Sequence, residues 1–338
     1  MTIPDIAARF ILPGPVDHFE EIPTGLINTT YEVTCKTGSS RKRFILQSIN
    51  ATVFPEPEKV MGNIFQVLGH IGAQDFGTEQ LQLIPVRDGH SWLTLPDHTV
   101  WRCYPFHEGT ESFTKINSTT LAYRAAAAFG TFQANLCDLD PATLHETLPD
   151  FHNTPVYFLK LQSVAAKNPL DRLAGASEEY QFILSQAPLT SLLVSAGLPL
   201  RVTHNDTKIS NILFPTDTSR PPIVIDLDTV MPGLALFDFG DLVRSAASTA
   251  DENETDPTKI RIDPDLLHAL TEGYLSTAGK FLTPAEIELL PSAPKVIALE
   301  LAIRFLTDHL LGDTYFRTTY PGHNLDRARN QLLLLRSM

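Results

Sequence analysis

The chain of 338 residues predicts an α+β protein. Strand-like segments crowd the first hundred residues, helix-like segments fill the rest from Ser118, and one apolar β-hairpin interrupts the helices near 212–227. That order places a β-rich part first, a mainly helical part second and a cleft between them. A chain of this length buries a large core and is expected to divide into two lobes.

The elements follow in turn. Residues 18 to 50 read as three strands, because Tyr31–Cys35 and Arg43–Gln47 alternate about the turn Lys36–Ser40. Between the first two strands lies Gly25–Thr30, small and polar. It can lay backbone N–H groups over phosphates, yet with one glycine it is more often an ordinary hairpin than a nucleotide loop. Pro57 opens a helix to about Ile71. Leu81–Pro85, Ser91–Leu95 and Thr99–Phe106 read as further strands, the last ending in His107-Glu108-Gly109-Thr110, a natural link between lobes that by itself is more often a plain strand end. A link there sets backbone of Phe106 to Glu108 beside an adenine ring. Ser118-Thr119-Thr120 caps a helix through Leu136, whose alanines and Gly130 suit close packing. Residues 177 to 197 look helical, as do about 263–279, 284–291, 293–311 and a last stretch from Leu325.

The chemistry concentrates in His204-Asn205-Asp206-Thr207-Lys208-Ile209-Ser210-Asn211, an H-x-D-x-K-x-x-N pattern, followed by Ile223-Val224-Ile225-Asp226-Leu227-Asp228. Phosphoryl transfer needs a base, a mobile positive charge and hard oxygen ligands for magnesium. Asp206 supplies the first, Lys208 the second, Asn211 and Asp226 the third. The apolar strand Ile212–Phe214, a turn-rich stretch and the β-branched run from Ile223 form a hairpin that brings Asn211 and Asp226 to one end. Asp228 is open to two roles, a second metal-side carboxylate or a structural acceptor. Asp238-Phe239-Gly240 mimics the metal-binding triplet of protein kinases but falls beyond the hairpin. Asp238 is expected to cap a helix starting there or to reach back to the catalytic loop.

Composition excludes several classes. The net charge of -13 disfavours nucleic acid and anionic membrane as partners. Cys35, Cys103 and Cys137 lack metal spacing and read as reduced thiols of a cytoplasmic protein. No signal peptide, membrane-spanning run or repeat is evident, and oligomeric state is left open.

These segments resemble the aminoglycoside phosphotransferase and choline kinase superfamily over nearly the whole chain. Within it, Trp101-Arg102 through Thr110, Phe151–Thr154, Val224–Gly233, Arg304–Asp308, Gly312–Phe316 and His323–Arg329 look like the N-acetylhexosamine 1-kinases. The resemblance implies a bilobal protein-kinase-like fold, with a nucleotide-binding lobe over 1–107 and a catalytic, substrate-binding lobe over 108–338. It implies ATP and magnesium as cofactors and transfer of the γ-phosphoryl group to the anomeric hydroxyl of GlcNAc or GalNAc. Gly25, Asn28, Thr29, Gln47, Phe106, His107 and Glu108 would then meet the nucleotide. Gln47 departs from the pattern, because kinases carry a lysine there. Arg41, Lys42 and Arg43 are the nearby cations, and Lys208 with magnesium would otherwise carry the phosphate charge.

A neutral sugar needs donors, acceptors and an aromatic platform. Arg304, Asp308, Tyr315, Tyr320, His323 and Arg327 offer those types beside Asp206, the base. Arg304 and Asp308 are four apart, so a surface ion pair between them is an equal reading. The alternatives are another hexose, an amino sugar, an aminoglycoside or an amino alcohol as acceptor, and a nucleotide-binding pseudokinase prompted by Gln47.

Overall fold

The computed structural model describes residues 1–23, 27–73 and 80–338. The chain forms two compact units. The first comprises Met1–Glu111, Asp138–Leu148 and Leu213–Pro232; the second comprises Ser112–Cys137, Pro149–Ile212 and Gly233–Met338.

The first unit is built on an antiparallel sheet of β1 (Val16–Glu21), β2 (Thr29–Thr37), β3 (Ser40–Ser48), β4 (Leu93–Thr94) and β5 (Val100–Pro105), in the order β1-β2-β3-β5-β4. The turn at Gly38, with φ at +60°, closes the β2–β3 hairpin where Lys36–Ser40 was read as a turn. One sheet face buries Val33, Cys35, Phe44, Leu46 and Cys103 against the short helix α1 (Ile3–Ala7) and Phe10. The helix α2 (Pro57–Ala73) buries Val60, Met61, Ile64 and Val67, an i, i+4, i+7 stripe. Its buried Asn63 donates to the carbonyls of His145 and Val230, tying the two later segments of the unit to the first. The strands Ile212–Pro215 and Ile223–Val224 form the predicted hairpin, and the first also pairs with Thr110–Glu111.

Two sequence expectations change here. Leu81–Pro85 is not a regular strand; Ile84 donates to the Cys103 carbonyl and Val86 bridges Phe10, because Pro85 has no N–H for a ladder. Of Ser91–Leu95 only Leu93–Thr94 pairs, with β5.

The second unit is helical, with α3 (Thr119–Ala134), α4 (Thr154–Lys167), α5 (Ser177–Ser185), α6 (Ala187–Thr190), α7 (Ala235–Ala246), α8 (Pro264–Ala278), α9 (Pro284–Leu289), α10 (Ala293–Leu311) and α11 (His323–Arg336). Ser118 caps α3 as read. The helix expected over 177–197 breaks at Gln186, since Pro188 cannot donate to the carbonyl four residues back. α10 is buried almost all round and packs with α4 and α11 through Leu161, Ala298, Leu299, Ala302, Ile303 and Leu332. No helix among the described residues is long and apolar enough to cross a membrane.

α3 crosses α8 at backbone contact. A Cβ on Gly273 would lie 2.3 Å from the Tyr123 carbonyl oxygen, and one on Gly130 would lie 2.9 Å from that of Tyr274. Both neighbours are backbone and cannot rotate away. Gly273→Ala is therefore expected to lower unfolding free energy by roughly 1–3 kcal/mol, the usual cost of overpacking. Urea denaturation followed by circular dichroism measures this.

Candidate active site

The loop carrying the H-x-D-x-K-x-x-N residues follows the short strand Arg201–Thr203. Its shape is set by a buried carboxylate. Asp238 Oδ1 accepts the Asn205 N–H at 2.7 Å, and Oδ2 accepts the His204 N–H at 2.9 Å and the Gln133 amide at 2.6 Å. The Tyr274 hydroxyl donates to Gln133 in turn. Burial pushes the Asp238 carboxyl up from its usual range, opposed by His204 and by these donors. α7 begins at Ala235, so Asp238 stands inside the helix and reaches back to the loop rather than capping. Asn205 is left-handed, with φ at +64°. Such a conformation costs a non-glycine residue about 1 kcal/mol or more and persists where surrounding contacts over-determine it. The His204 ring packs edge-on to Phe129 and Phe132.

Held this way, Asp206, Lys208 and Asn211 come together. Lys208 Nζ donates to Asp206 Oδ2 at 2.6 Å, and Asn211 Nδ2 donates to the same oxygen at 3.0 Å and to the Asp206 carbonyl at 2.8 Å. The Asp206 side chain is 26% exposed, so it is accessible to an acceptor molecule. The Asn211 amide turns its nitrogen to Asp206, which leaves Oδ1 as its other polar atom. That hard oxygen fits the chemistry of magnesium.

A second support was not found from sequence. His152, left-handed at φ +69°, is buried with Nδ1 3.0 Å from Glu300 Oε1 and Nε2 3.3 Å from the Asn205 carbonyl. Thr154 donates to the other Glu300 oxygen at 2.7 Å. Burial works against a charged His152, but Glu300 overcomes it and raises the pKa above the ordinary 6.5. When protonated, the ring donates to both partners and so steadies the backbone beside Asp206.

In the first unit, Asn28 and Gln47 belong to a network centred on Arg102. That guanidinium is buried and pairs with Asp228, while its Nε donates to Gln47 Oε1 at 3.0 Å. Gln47 donates onward to Thr30 Oγ1 at 3.0 Å. Asn28 donates to the second Asp228 oxygen, and its own Oδ1 accepts the Asn50 N–H at 3.0 Å. Asp228, 4% exposed, is thus the structural acceptor of the two roles left open. Burial opposes the charge on Arg102, but Asp228 more than offsets it and the pKa is raised. Asp226, exposed and left-handed at φ +63°, begins the short helix Leu227–Thr229. Thr29 opens β2 opposite Ser48, and Gly25 lies outside the described residues.

Arg102 stands opposite Gln47 on the neighbouring strand, a register that the sequence segment around Trp101 did not reveal. Two of the other candidate cations, Arg43 and Arg41, are paired elsewhere. Arg43 pairs with Glu108 and Glu32 and covers the Phe106 ring at 3.7 Å, and Arg41 pairs with Asp17 at 2.8 Å. His107 offers its carbonyl to the Thr110 hydroxyl at 2.7 Å.

The acceptor-side candidates separate into three settings, all in the second unit. Arg304 sits 3.8 Å from Glu300 with four aromatic rings about it, one of them Tyr315. Asp308 is a loop organiser: its oxygens accept the N–H groups of Thr314, Tyr315 and Phe316 and the Asn324 amide. The Arg304–Asp308 ion pair weighed from sequence gives way to these partners. His323 is 3% exposed; Nδ1 accepts the Thr319 N–H at 3.2 Å and Nε2 meets Asn253 Oδ1 at 2.8 Å. Arg327 donates to the same Asn253 oxygen, and the Tyr320 hydroxyl donates to Asp326. His323 and Arg327 therefore anchor the acidic 251–258 stretch to α11.

A sequence profile of the phosphotransferase enzyme family matches residues 18–278, and the chain belongs to that family. Solved structures share the fold at low identity. An aminoglycoside phosphotransferase from Alicyclobacillus acidocaldarius superposes with a TM-score of 0.64 at 12% identity, covering 100% of this chain and 95% of that one. A microcompartment-associated aminopropanol kinase gives 0.61 at 16%, covering 97% and 93%. A choline kinase from Cryptosporidium parvum gives 0.55 at 16%, covering 93% and 88%.

Two outcomes test the supports. Arg102→Met strands a buried Asp228 carboxylate and is expected to cost about 3–5 kcal/mol of stability, read from denaturant unfolding. His152→Gln removes a ring whose folded pKa is raised. Its contribution is complete below about 6.5, the unfolded value, and fades as pH climbs through the folded one. The stability gap between wild type and His152→Gln is accordingly larger at pH 6 than at pH 9.

Proposed function

We propose that the protein transfers the γ-phosphoryl group of ATP to the anomeric hydroxyl of an N-acetylhexosamine, GlcNAc or GalNAc, giving the sugar 1-phosphate. The observation that carries this reading is the joined set Asp206, Lys208 and Asn211 on a loop fixed by Asp238, together with family membership. Lys208 and Asn211 both donate to Oδ2, so Oδ1 is the atom that accepts the hydroxyl proton. An anomeric hydroxyl is more acidic than an ordinary alcohol, which suits a carboxylate base. Lys208 follows the charge on the transferred group. Asn211 Oδ1 and Asp226 would hold magnesium, which neutralises phosphate charge when bound.

In this reading the nucleotide lobe is 1–107, with Gly25, Asn28, Thr29, Gln47 and the Phe106–Glu108 link around ATP, and 108–338 takes the sugar. The side chains of Asn28 and Gln47 are committed to the Asp228 network, so they shape the nucleotide side rather than supply charge. Buried Arg102 is neutralised by Asp228, which leaves phosphate charge to Lys208 and magnesium. On the acceptor side, Arg304 and Tyr315 would meet the sugar, while Asp308 and His323 act through the loops they hold. In this reading the enzyme works in the cytoplasm, where ATP is at hand.

The second reading keeps the reaction and changes the acceptor to an amino alcohol, prompted by the aminopropanol and choline kinases that share the fold. Phosphorus NMR of a reaction with ATP, magnesium and each N-acetylhexosamine separates them. A new phosphomonoester signal coupled to the anomeric proton is expected. Turnover of amino alcohols with both sugars untouched would sink the sugar assignment. Asp206→Asn should lower kcat by roughly 10²–10⁴, and chelation of magnesium should stop product formation.

A further inference from the structure

Arg304 occupies a cage. Its guanidinium carbon lies 5.0 Å from the centre of the Tyr157 ring, 5.6 Å from Phe151, 5.6 Å from Phe316 and 6.0 Å from Tyr315. Glu300 Oε1 stands 3.8 Å from its nearest nitrogen. Aromatic faces around one carboxylate are the arrangement that recognises organic cations, because each ring turns the negative pole of its quadrupole inward. Here the cation is the protein's own side chain, 13% exposed. Phe151, Tyr157 and Phe316 are half-buried, whereas Tyr315 is 71% exposed, so the cage has its most open side there.

The cage adjoins the catalytic loop. Glu300 meets His152, and His152 meets the Asn205 carbonyl, one residue before Asp206. An amine or quaternary ammonium entering there would find the rings already filled and a like charge at close range in a poorly hydrated place. A neutral molecule meets no such repulsion and gains a hydrogen-bond donor.

We infer that Arg304 is a specificity-determining residue that closes this site to cationic acceptors by occupying a built organic-cation cage. The inference rests on the acceptor binding beside the Asp206 loop, as proposed above. It adds that the acceptor carries no positive charge at the end facing α10. It also assigns a latent site: with the guanidinium removed, Tyr157, Phe151, Phe316, Tyr315 and Glu300 take a small organic cation.

The test is calorimetric titration of tetramethylammonium chloride, at matched ionic strength, into wild type, Arg304→Ala and Arg304→Lys. Circular dichroism and thermal melting check each fold. Arg304→Ala is expected to bind at least about tenfold more tightly than wild type, and Arg304→Lys, which keeps a cation in the cage, to gain nothing. A folded Arg304→Ala that binds no better than wild type overturns the inference, as does a gain of the same size in Arg304→Lys. Arg304→Ser serves if the alanine variant fails to fold. If neither folds, the wild-type titration decides, since saturable binding there means that the cage is not closed and its absence upholds closure. The readout needs no turnover, so failure of sugar phosphorylation leaves this comparison intact.

Discussion

The loop that carries Asp206 depends on one carboxylate accepting two consecutive backbone N–H groups. Asp238 binds His204 and Asn205 together and thereby fixes the left-handed turn that presents Asp206. Hydrogen bonds to a buried carboxylate are stronger than neutral ones, and an unmade one leaves a desolvated group behind. Gln133 from α3 and Tyr274 from α8 complete the acceptor's surroundings. The close glycine contacts of α3 with α8 therefore bear on the loop, because they set where Gln133 and Tyr274 stand. His152 secures the other side of the same peptide through Asn205. Local order at Asp206 thus comes from four segments far apart in sequence.

The first unit solves a different electrostatic problem. A fully buried arginine beneath a sheet is costly unless its partner is equally buried and its remaining donors are used. Asp228 is the partner, and Gln47 takes the Nε donor. A lysine at 47 would bring a second positive charge beside Arg102. Glutamine, able to accept from Arg102 and donate to Thr30, fits where lysine would not. The departure from the kinase pattern has a physical cause in the neighbouring strand.

Much of the fold was legible because its signals are local. Period-two alternation marked β2 and β3, Ser118 marked the start of α3, and the apolar run 223–227 marked the hairpin. The grouping of Asp206, Lys208 and Asn211 was legible for the same reason, since eight residues contain it. What escaped depends on register and tertiary contact. No spacing rule places Arg102 opposite Gln47, or His152 against a helix 148 residues later. The hydrogen-bond partners of Asp308 and His323 were equally out of reach. Their partners, the 314–316 backbone and Asn253, are supplied by loops whose path a sequence does not give. Proline explains two of the misjudged elements, at Pro85 and Pro188.

The Asn28–Asp228 hydrogen bond joins residues 200 positions apart. The sheet of the first unit is complete by Pro105, yet its buried arginine is neutralised only when the hairpin arrives. A fragment ending at Glu111 would hold an uncompensated charge in its core. The first unit is therefore not a portable module that can be cut from the front of the chain. An exchange of this unit between relatives must carry the hairpin with it, threaded through the sequence of the other half. During synthesis the unit is obliged to wait for that segment, so the two halves mature together rather than in succession.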